Sequence, residues 1–340
     1  MGEGAVAPWT ATQVTPTPLA VSGAAPGAAS LARVPHQPGQ PAPHRPAPSD
    51  GGPLRDPATG VGWSDVTATY ARTFALLCAG AVEPLLDAAG VGRDDLSLRG
   101  AASGTPAPAT GTGGRGRTRL LDVGTGTGSV AAAAVVRGAQ VTAVDPDAAM
   151  VAWTGRAVPE AEVARAGLPG LPYDEGAFDV VVAGFVVNHL ADPRAGVAEL
   201  AGLVAPGGRL AVTIWPSGQN AQSRLWAAVL ADAGVVTPPS VGLPPDRDFP
   251  RTLDGLTDLV AATGLEVAVE AVRWTHRGDP ASLWEGASAG IGGIGATVCA
   301  QDDATRLRLR AAYDHHVAAL VRDGELAFET EALLAVGRRR

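Results

Sequence analysis

Residues 120–130 read Leu-Leu-Asp-Val-Gly-Thr-Gly-Thr-Gly-Ser-Val, and this stretch decides the fold. A short apolar run ends in three glycines at alternating positions, Gly124, Gly126 and Gly128, and a run of small residues, Ala131 to Val136, follows at once. The pattern predicts a buried strand, a tight turn and a helix. Glycine lets the backbone turn sharply and approach a ligand, because it has no Cβ to clash. The helix N-terminus adds unpaired N–H groups and a partial positive charge.

A second predicted strand, Gln140 to Val144, ends in the acid Asp145, and Asp147 is predicted to be the N-cap of a helix over Ala148 to Trp153. Strand, glycine turn, helix and second strand together make half of a nucleotide-binding α/β sheet. A carboxylate at the tip of the second strand can accept hydrogen bonds from both hydroxyls of a ribose. The dinucleotide fingerprint needs its third glycine at position 129, where this chain has Ser129. The spacing Gly-x-Gly-x-Gly therefore disfavours a nicotinamide dehydrogenase.

The glycine turn, with Asp122 before it and Asp145 after it, resembles motif I and the following acid of the class I S-adenosylmethionine (SAM) methyltransferases. Leu171 to Asp179 reads Leu-Pro-Tyr-Asp-Glu-Gly-Ala-Phe-Asp, which is similar to the family's run before the fourth strand. Leu203 to Leu210, with its Pro-Gly-Gly turn, resembles the segment that opens the fifth strand. The resemblance covers about residues 60–338 and is closest to the small-molecule type, which includes ubiquinone/menaquinone methyltransferase-like enzymes.

The resemblance implies an α/β fold, a Rossmann-like seven-stranded, mostly parallel sheet with helices on both faces and a helical substrate cap. The domain is expected over residues 59–340, with its core at 119–215 and cap insertions at about 216–250 and 278–322. A last strand at about 332–338 is expected to lie antiparallel beside the fifth. The remaining strands are predicted at about 119–123, 140–144, 160–165, 178–185, 208–215 and 265–276.

The N-terminal part of the chain divides into segments of different composition. Residues 1–58 are rich in Pro, Ala, Gly, Thr and Ser and are expected to be disordered, because they bury too little apolar surface to offset the ordering entropy. Ser64 to Leu77 reads as a helix capped by Ser64 or Asp65, and residues 91–118 read as a long loop. Neither a secretory signal nor a run of about 18 apolar residues is found, which predicts a cytoplasmic protein with no membrane contact.

The resemblance also implies a cofactor, SAM, and residues that would hold it. Gly124, Gly126 and Gly128 would cradle its methionine part, and Asp122 would hold the cationic amino group directly or through water. Asp145 would accept from the two ribose hydroxyls.

At the adenine edge, Pro146 and the backbone of Leu168 are expected to contact the base. Many family members carry an acid where this chain has Gly167, so the usual contact with the adenine amino group is missing. Phe185, after the fourth strand, and Tyr70, on the first helix, are expected to pack on SAM. Plain packing on the sheet remains an alternative for the aromatic residues of that helix.

His189 follows the fourth strand and is the predicted catalytic residue. A near-neutral imidazole suits removal of a proton from a hydroxyl or amine. A non-catalytic role stays open as well, because His189 could equally order its loop or pack on SAM. Asn188 alone does not make a metal site, and the two isolated cysteines Cys78 and Cys299 make none either, so no metal is expected.

Charge and composition restrict the acceptor. The formal net charge is −8 and the chain contains no lysine, whereas proteins that bind nucleic acid are usually basic on one face. These features predict that the chain does not act on nucleic acid. Four tryptophans fall in or near the predicted cap, at positions 215, 226, 274 and 284, and favour an apolar or aromatic small molecule.

These observations predict methyl transfer from SAM to an oxygen, nitrogen or carbon atom of a small-molecule acceptor, by in-line displacement with base assistance from His189. The alternative is a SAM-binding protein on the same fold that does not methylate, either a cyclase-like enzyme or a regulatory binding protein.

Overall fold

The computed structural model describes residues 62–92, 117–218, 220–237 and 243–340. Its centre is a seven-stranded sheet in the order β3-β2-β1-β4-β5-β7-β6. Strands β1 to β5 are parallel, and β7 runs antiparallel to both of its neighbours. The strands are β1 (Arg119–Val123), β2 (Gln140–Asp145), β3 (Glu162–Arg165), β4 (Phe178–Gly184), β5 (Val204–Ile214), β6 (Glu266–Gly278) and β7 (Leu326–Arg338). The predicted Rossmann-like sheet, with an antiparallel last strand beside the fifth, is confirmed.

Eleven α-helices are described, and they cover both faces of the sheet. They are α1 (Trp63–Arg72), α2 (Phe74–Cys78), α3 (Val82–Ala89), α4 (Ser129–Val136), α5 (Ala148–Ala157), α6 (Pro193–Gly202), α7 (Ala221–Asp232), α8 (Leu253–Ala261), α9 (Pro280–Ser288), α10 (Gly292–Cys299) and α11 (Asp303–Ala318). Neighbouring residues of β1 separate the two cores: Leu121 packs in the core beneath α6 and α8, and Leu120 packs in the core beneath α3 and α4. This alternation follows from the two-residue period of a strand.

Strand β7 is longer than predicted, and its extra length builds a second layer of structure. It pairs with β6 from Leu326 to Arg338 but with β5 only from Leu333 to Arg338. The extension beyond β5 carries Leu326 and Phe328 into a third core with α7, α9, α10 and α11. The chain therefore adds a helical layer on the protruding β6–β7 pair.

Several predicted boundaries are wrong. Helix α1 begins at Trp63 with Gly62 as its N-cap, so neither Ser64 nor Asp65 caps it. The Ser64 hydroxyl instead donates to Asp147, 2.7 Å away at the start of α5. The predicted helix also breaks at Thr73, whose backbone leaves the helical region before α2 begins.

Two predictions concern parts of the chain outside the described residues. The predicted disorder of residues 1–58 lies wholly outside them, and most of the predicted loop at 91–118 does too. Among the helices that are described, none is long and apolar enough to cross a membrane.

Candidate active site

The glycine turn joins the carboxyl end of β1 to α4. All three glycines have positive φ, +69° at Gly124, +56° at Gly126 and +85° at Gly128, where L side chains are strained. The amides of Gly124 and Thr125 both donate to the carbonyl of Val144, at 2.8 and 3.0 Å, and so fix the turn to the end of β2.

The three glycines have different structural roles. A Cβ on Gly124 would lie 2.4 Å from Cγ2 of Val186, and one on Gly126 would lie 3.9 Å from the ring of Tyr70. Gly128 lies on the other side of the turn, where a Cβ would meet Thr154 at 3.0 Å. Gly124 and Gly126 line the cleft under Tyr70, while Gly128 allows α4 to pack on α5.

Two buried carboxylates lie beside this turn. Asp122 is 1% exposed and Asp145 is 7% exposed. The hydroxyl of Thr125 donates to Asp122 Oδ2 at 2.7 Å, and the amides of Gly126 and Asp147 each donate to one oxygen of Asp145 at 2.9 Å. Within the described part of the chain, no arginine or histidine forms an ion pair with either acid.

Burial sets the charge of these two acids. It raises the pKa of Asp122 to about 7, against the hydrogen bond from Thr125, and the pKa of Asp145 to about 6, against its two backbone donors. A buried carboxylate without a cationic partner is costly, because desolvation disfavours its charged form. The pair therefore makes an anionic site that a ligand with cationic and hydroxyl groups would relieve.

Asp147 connects the cleft to the N-terminal helices. Its carboxylate caps α5 by accepting from the amides of Ala149 and Met150, as the sequence predicts for this residue, and it also accepts from Ser64. At the other end of α1, Arg72 forms an ion pair with Glu285 of α9. Helix α1 thus spans from the loop after β2 to the helical layer.

Helix α2 separates the cleft from two larger chambers. Cys78 and Ala75 line the cleft, whereas Phe74 and Leu77 line both chambers. Tyr70 closes the cleft above Gly126, and burial raises the pKa of its hydroxyl well above the usual value and that of the Cys78 thiol to about 12. The cleft has a volume of only about 60 Å³.

The loop after β4 is built around an aromatic stack. Phe185 has a φ of +59°, and its ring stacks on Trp215 with centroids 4.1 Å apart. The side chain of Asn188 accepts from the Trp215 amide at 3.0 Å and donates to its carbonyl at 3.4 Å. His189 is exposed, and its ring packs edge-on against Trp63 at 5.9 Å.

The absence of an acid at position 167, on the expected adenine edge, has a steric explanation. A Cβ on Gly167 would lie 2.8 Å from Cβ of Pro146, so an acid there would collide with the proline. The Leu168 side chain packs against the core beneath α6, which leaves its backbone for a ligand contact. The structure thus brings Tyr70, Asp122 and Phe185 into the cleft with two of the glycines. The other predicted site residues, Gly128, Asp145, Pro146, Leu168 and His189, are not among the residues that line it.

The two chambers lie on the other side of α2. The larger, the main chamber, has a volume of about 550 Å³, and the smaller, the side chamber, has about 210 Å³. They share six lining residues, which are Phe74, Leu77, Gln222, Trp226, Ile294 and Phe328. The predictions missed Phe328, Ile294 and His276 as lining residues. Strict alternation along β6 and β7 was the available signal for Phe328 and His276.

Comparison with known proteins gives these features a family context. The family model described as a methyltransferase domain matches residues 121–212, which run from β1 to β5 and contain the glycine turn and both buried acids. By this match, residues 121–212 carry a methyltransferase domain. The predicted enzyme class and the predicted cofactor, SAM, are confirmed. No curated protein matches the sequence.

Solved structures with related folds are distant. The YcgJ protein from Bacillus subtilis is 18% identical over 66% of this chain and 93% of its own, with a TM-score of 0.43. A SAM-dependent methyltransferase from Thermotoga maritima is 14% identical over 82% and 98%, also at 0.43. A Haemonchus contortus phosphoethanolamine N-methyltransferase, solved with phosphomonomethylethanolamine and S-adenosylhomocysteine, is 18% identical over 66% and 50%, at 0.38. Likenesses this weak carry no conclusion about the acceptor.

The close approach at Gly124 gives a prediction. Gly124→Ala should destabilise the protein by about 1–3 kcal/mol more than Gly138→Ala, because its Cβ overpacks against Val186. Gly138 is the matched control, since its φ of +85° carries a similar strain but nothing lies within 4 Å of its added Cβ. Urea denaturation measures the difference. Only Gly124→Ala should also weaken binding of S-adenosylhomocysteine, and equal losses of stability in the two variants would show that the turn relaxes around the methyl group.

Proposed function

We propose that this domain transfers the methyl group of SAM to an oxygen, nitrogen or carbon atom of a small, uncharged, apolar acceptor. The observation that carries the proposal is the pair of buried acids, Asp122 and Asp145, which lack a cationic partner in the described chain and lie at the carboxyl ends of β1 and β2. Ligands bind at this edge in open α/β sheets.

The residues of the cleft suit the chemical groups of SAM. Each oxygen of Asp145 accepts one backbone amide and keeps a further acceptor position, so the carboxylate can take two ribose hydroxyls. Asp122 can hold the amino group, directly or through water, and the open faces of Gly124 and Gly126 leave room for the methionine chain. Pro146 and the backbone of Leu168 would flank the adenine.

When bound, SAM supplies an electrophilic methyl group on a sulfonium; transfer makes the new bond to the acceptor, breaks the S–CH₃ bond and leaves S-adenosylhomocysteine, while the acceptor proton passes to a base or to water. The protein's part is to orient the two molecules and exclude water. Orientation of this kind can supply about 7–11 kcal/mol. The aromatic wall of Phe185, Trp215 and Phe74 lies between the cleft and the main chamber and would shield the reacting atoms.

Helix α2 must move for this reaction. The cleft of about 60 Å³ is smaller than the ligand sites of several hundred Å³ that small molecules usually fill. The two faces of α2 also line different cavities, because Cys78 lines the cleft and Phe74 lines the chambers. We infer that α2 shifts about the break at Thr73 to admit the cofactor and to let acceptor and methyl group meet.

His189 completes the proposal as the assisting base. It follows directly on Asn188, which holds the backbone of Trp215 beside the cleft. Because His189 is exposed, its imidazole could pass a proton from the acceptor to bulk water.

The cofactor site is tested by calorimetric titration with SAM and S-adenosylhomocysteine. Asp145→Asn should weaken binding of both by about 10²-fold, because it removes the charge from two hydrogen bonds to the ribose. Asp147→Asn is the matched control, because asparagine still caps α5 and the affinity should stay within about threefold. Full affinity in Asp145→Asn would overturn the proposed role of this acid.

The raised pKa values of Asp122 and Asp145 predict a pH dependence. Affinity for S-adenosylhomocysteine should fall as the pH is lowered from about 8 through 7 and 6, because protons then occupy the carboxylates that the ligand needs ionised. Each protonated acid can contribute up to about tenfold per pH unit. Asp145→Asn should remove the part near pH 6, and a pH-independent affinity in the wild type would contradict the assignment.

The role of His189 is tested after a screen of phenols, amines and activated carbon acids for transfer of radiolabelled methyl groups. With an acceptor in hand, His189→Ala should lower kcat by about 10²-fold with little change in KM. An unchanged kcat would assign His189 to packing on Trp63 alone. Binding of SAM without transfer to any acceptor would instead favour the non-methylating alternative.

A further inference from the structure

The two chambers share one floor, formed by the protruding part of β6 and β7. In this antiparallel pair the residues directly opposite one another lie on the same face, and successive pairs on that face are Trp274 with Thr330, His276 with Phe328, and Gly278 with Leu326. Thr330 lines the main chamber, Phe328 lines both, and His276, Gly278 and Leu326 line the side chamber. From Thr330 to Leu326 the floor is about 14 Å long at the usual rise per residue.

The two chambers adjoin one another, because six side chains line both of them. The shared residues come from α2 (Phe74, Leu77), α7 (Gln222, Trp226), α10 (Ile294) and the floor itself (Phe328). They are apolar or aromatic except for Gln222. A molecule that enters the main chamber and is longer than one ring would therefore extend along the floor, past Phe328, towards the side chamber.

The walls of the main chamber select against charge. Among the described residues that line it, Glu329 alone carries a formal charge. Glu329 pairs across the strands with Thr275 and accepts its hydroxyl at 2.6 Å, so its side chain lies on the opposite face from Phe328 and Thr330. The surface that meets the acceptor is thus aromatic, aliphatic or neutral and polar.

The side chamber also holds a polar side chain with unused hydrogen-bonding capacity, that of His276, which lies opposite Phe328 on the floor. Arg72 there is paired with Glu285, Asp279 caps α9 and accepts from Ser282, and the hydroxyl of Thr73 donates to a carbonyl of α1. The side chain of His276 makes no hydrogen bond, ion pair or ring contact with any described residue. Burial lowers its pKa, so its ring is neutral near pH 7 and carries one donor and one acceptor.

We propose that His276 is a specificity-determining residue, which reads a polar group at the distal end of an elongated, uncharged acceptor of at least two rings. The acceptor lies along the β6–β7 floor, with its reacting end beside Phe74 and Trp215 and its distal hydroxyl or carbonyl at the imidazole. This inference rests on the proposed function, since it names the acceptor class of the same site. Gly278 keeps the ring accessible, because a Cβ there would lie 3.2 Å from His276 Nε2.

The test uses two probes that differ only at the distal end, 4-phenylphenol and 4,4′-dihydroxybiphenyl. Both are uncharged near pH 7, and the second carries a hydroxyl at each end of the same two-ring body. Their dissociation constants are measured by titration on the full chain, with and without S-adenosylhomocysteine. In the wild type the dihydroxy probe should bind about tenfold more tightly, the value of one good hydrogen bond.

Three variants assign this difference to His276. His276→Leu should bind both probes within about twofold of each other, because it keeps apolar bulk and loses the ring nitrogens. His276→Gln should keep most of the preference, because its amide can still pair with the distal hydroxyl. His315→Leu, which changes an exposed histidine on α11, should leave the tenfold difference intact.

The outcomes separate this inference from the proposed function. Any of three results would overturn the role of His276. They are equal binding of the two probes to the wild type, a preference that persists in His276→Leu, and no binding of either probe. If S-adenosylhomocysteine binds normally in those cases, the proposed function stands. If the probes behave as expected but neither SAM nor S-adenosylhomocysteine binds, the cofactor assignment fails and the chamber assignment survives. The result for His276→Leu is used only if this variant keeps the melting temperature of the wild type. If it does not, the comparison of His276→Gln with the wild type provides the test.

Discussion

The burial of two carboxylates without a cation is the constraint on which the active site depends. Ionised Asp122 and Asp145 cost the folded protein stability, since their folded pKa values of about 7 and 6 lie above the ordinary value for aspartate. The stability that protonation supplies is complete below that ordinary value, near pH 4, and is lost as the pH rises through 6 and 7. At neutral pH the ionised acids therefore lower the stability of the folded protein, and binding of a cationic, hydroxyl-bearing ligand would offset this cost.

The surrounding structure holds these acids in place. The turn amides that donate to Val144 align the ends of β1 and β2, and the amide of Gly126 then points at Asp145. Asp147 continues the network to Ser64 on α1, whose other end is paired with α9 through Arg72. A rigid-body shift of α1 would thus disturb contacts at both the cofactor edge and the side chamber.

The sequence predicts the sheet and the glycine turn well because both rest on local rules. Apolar runs, positive-φ glycines and the acid after β2 are readable within about 30 residues, and the N-cap at Asp147 follows from the helix that begins beside it. Ser64 was misread because the same residue type either caps a helix or bonds across a cleft, and only the tertiary fold decides. The chambers were missed for a related reason, since His276 and Phe328 are 52 positions apart and meet only through the β6–β7 register.

The length of β7 explains the helical layer and the two chambers beside it. Pairing with β5 needs only Leu333 to Arg338, and this part of the strand completes the sheet. The part from Leu326 to Ala332 has β6 as its one strand partner in the described structure, and a protruding two-stranded ribbon is marginal in water unless something covers it. Helices α7 and α9 to α11 supply that cover through the core around Tyr313, Leu309 and Phe328. Because the helices rest on a ribbon and not on a full sheet, they leave two chambers at the edge nearest α2, so the element that stabilises the extension also creates the proposed acceptor cavity.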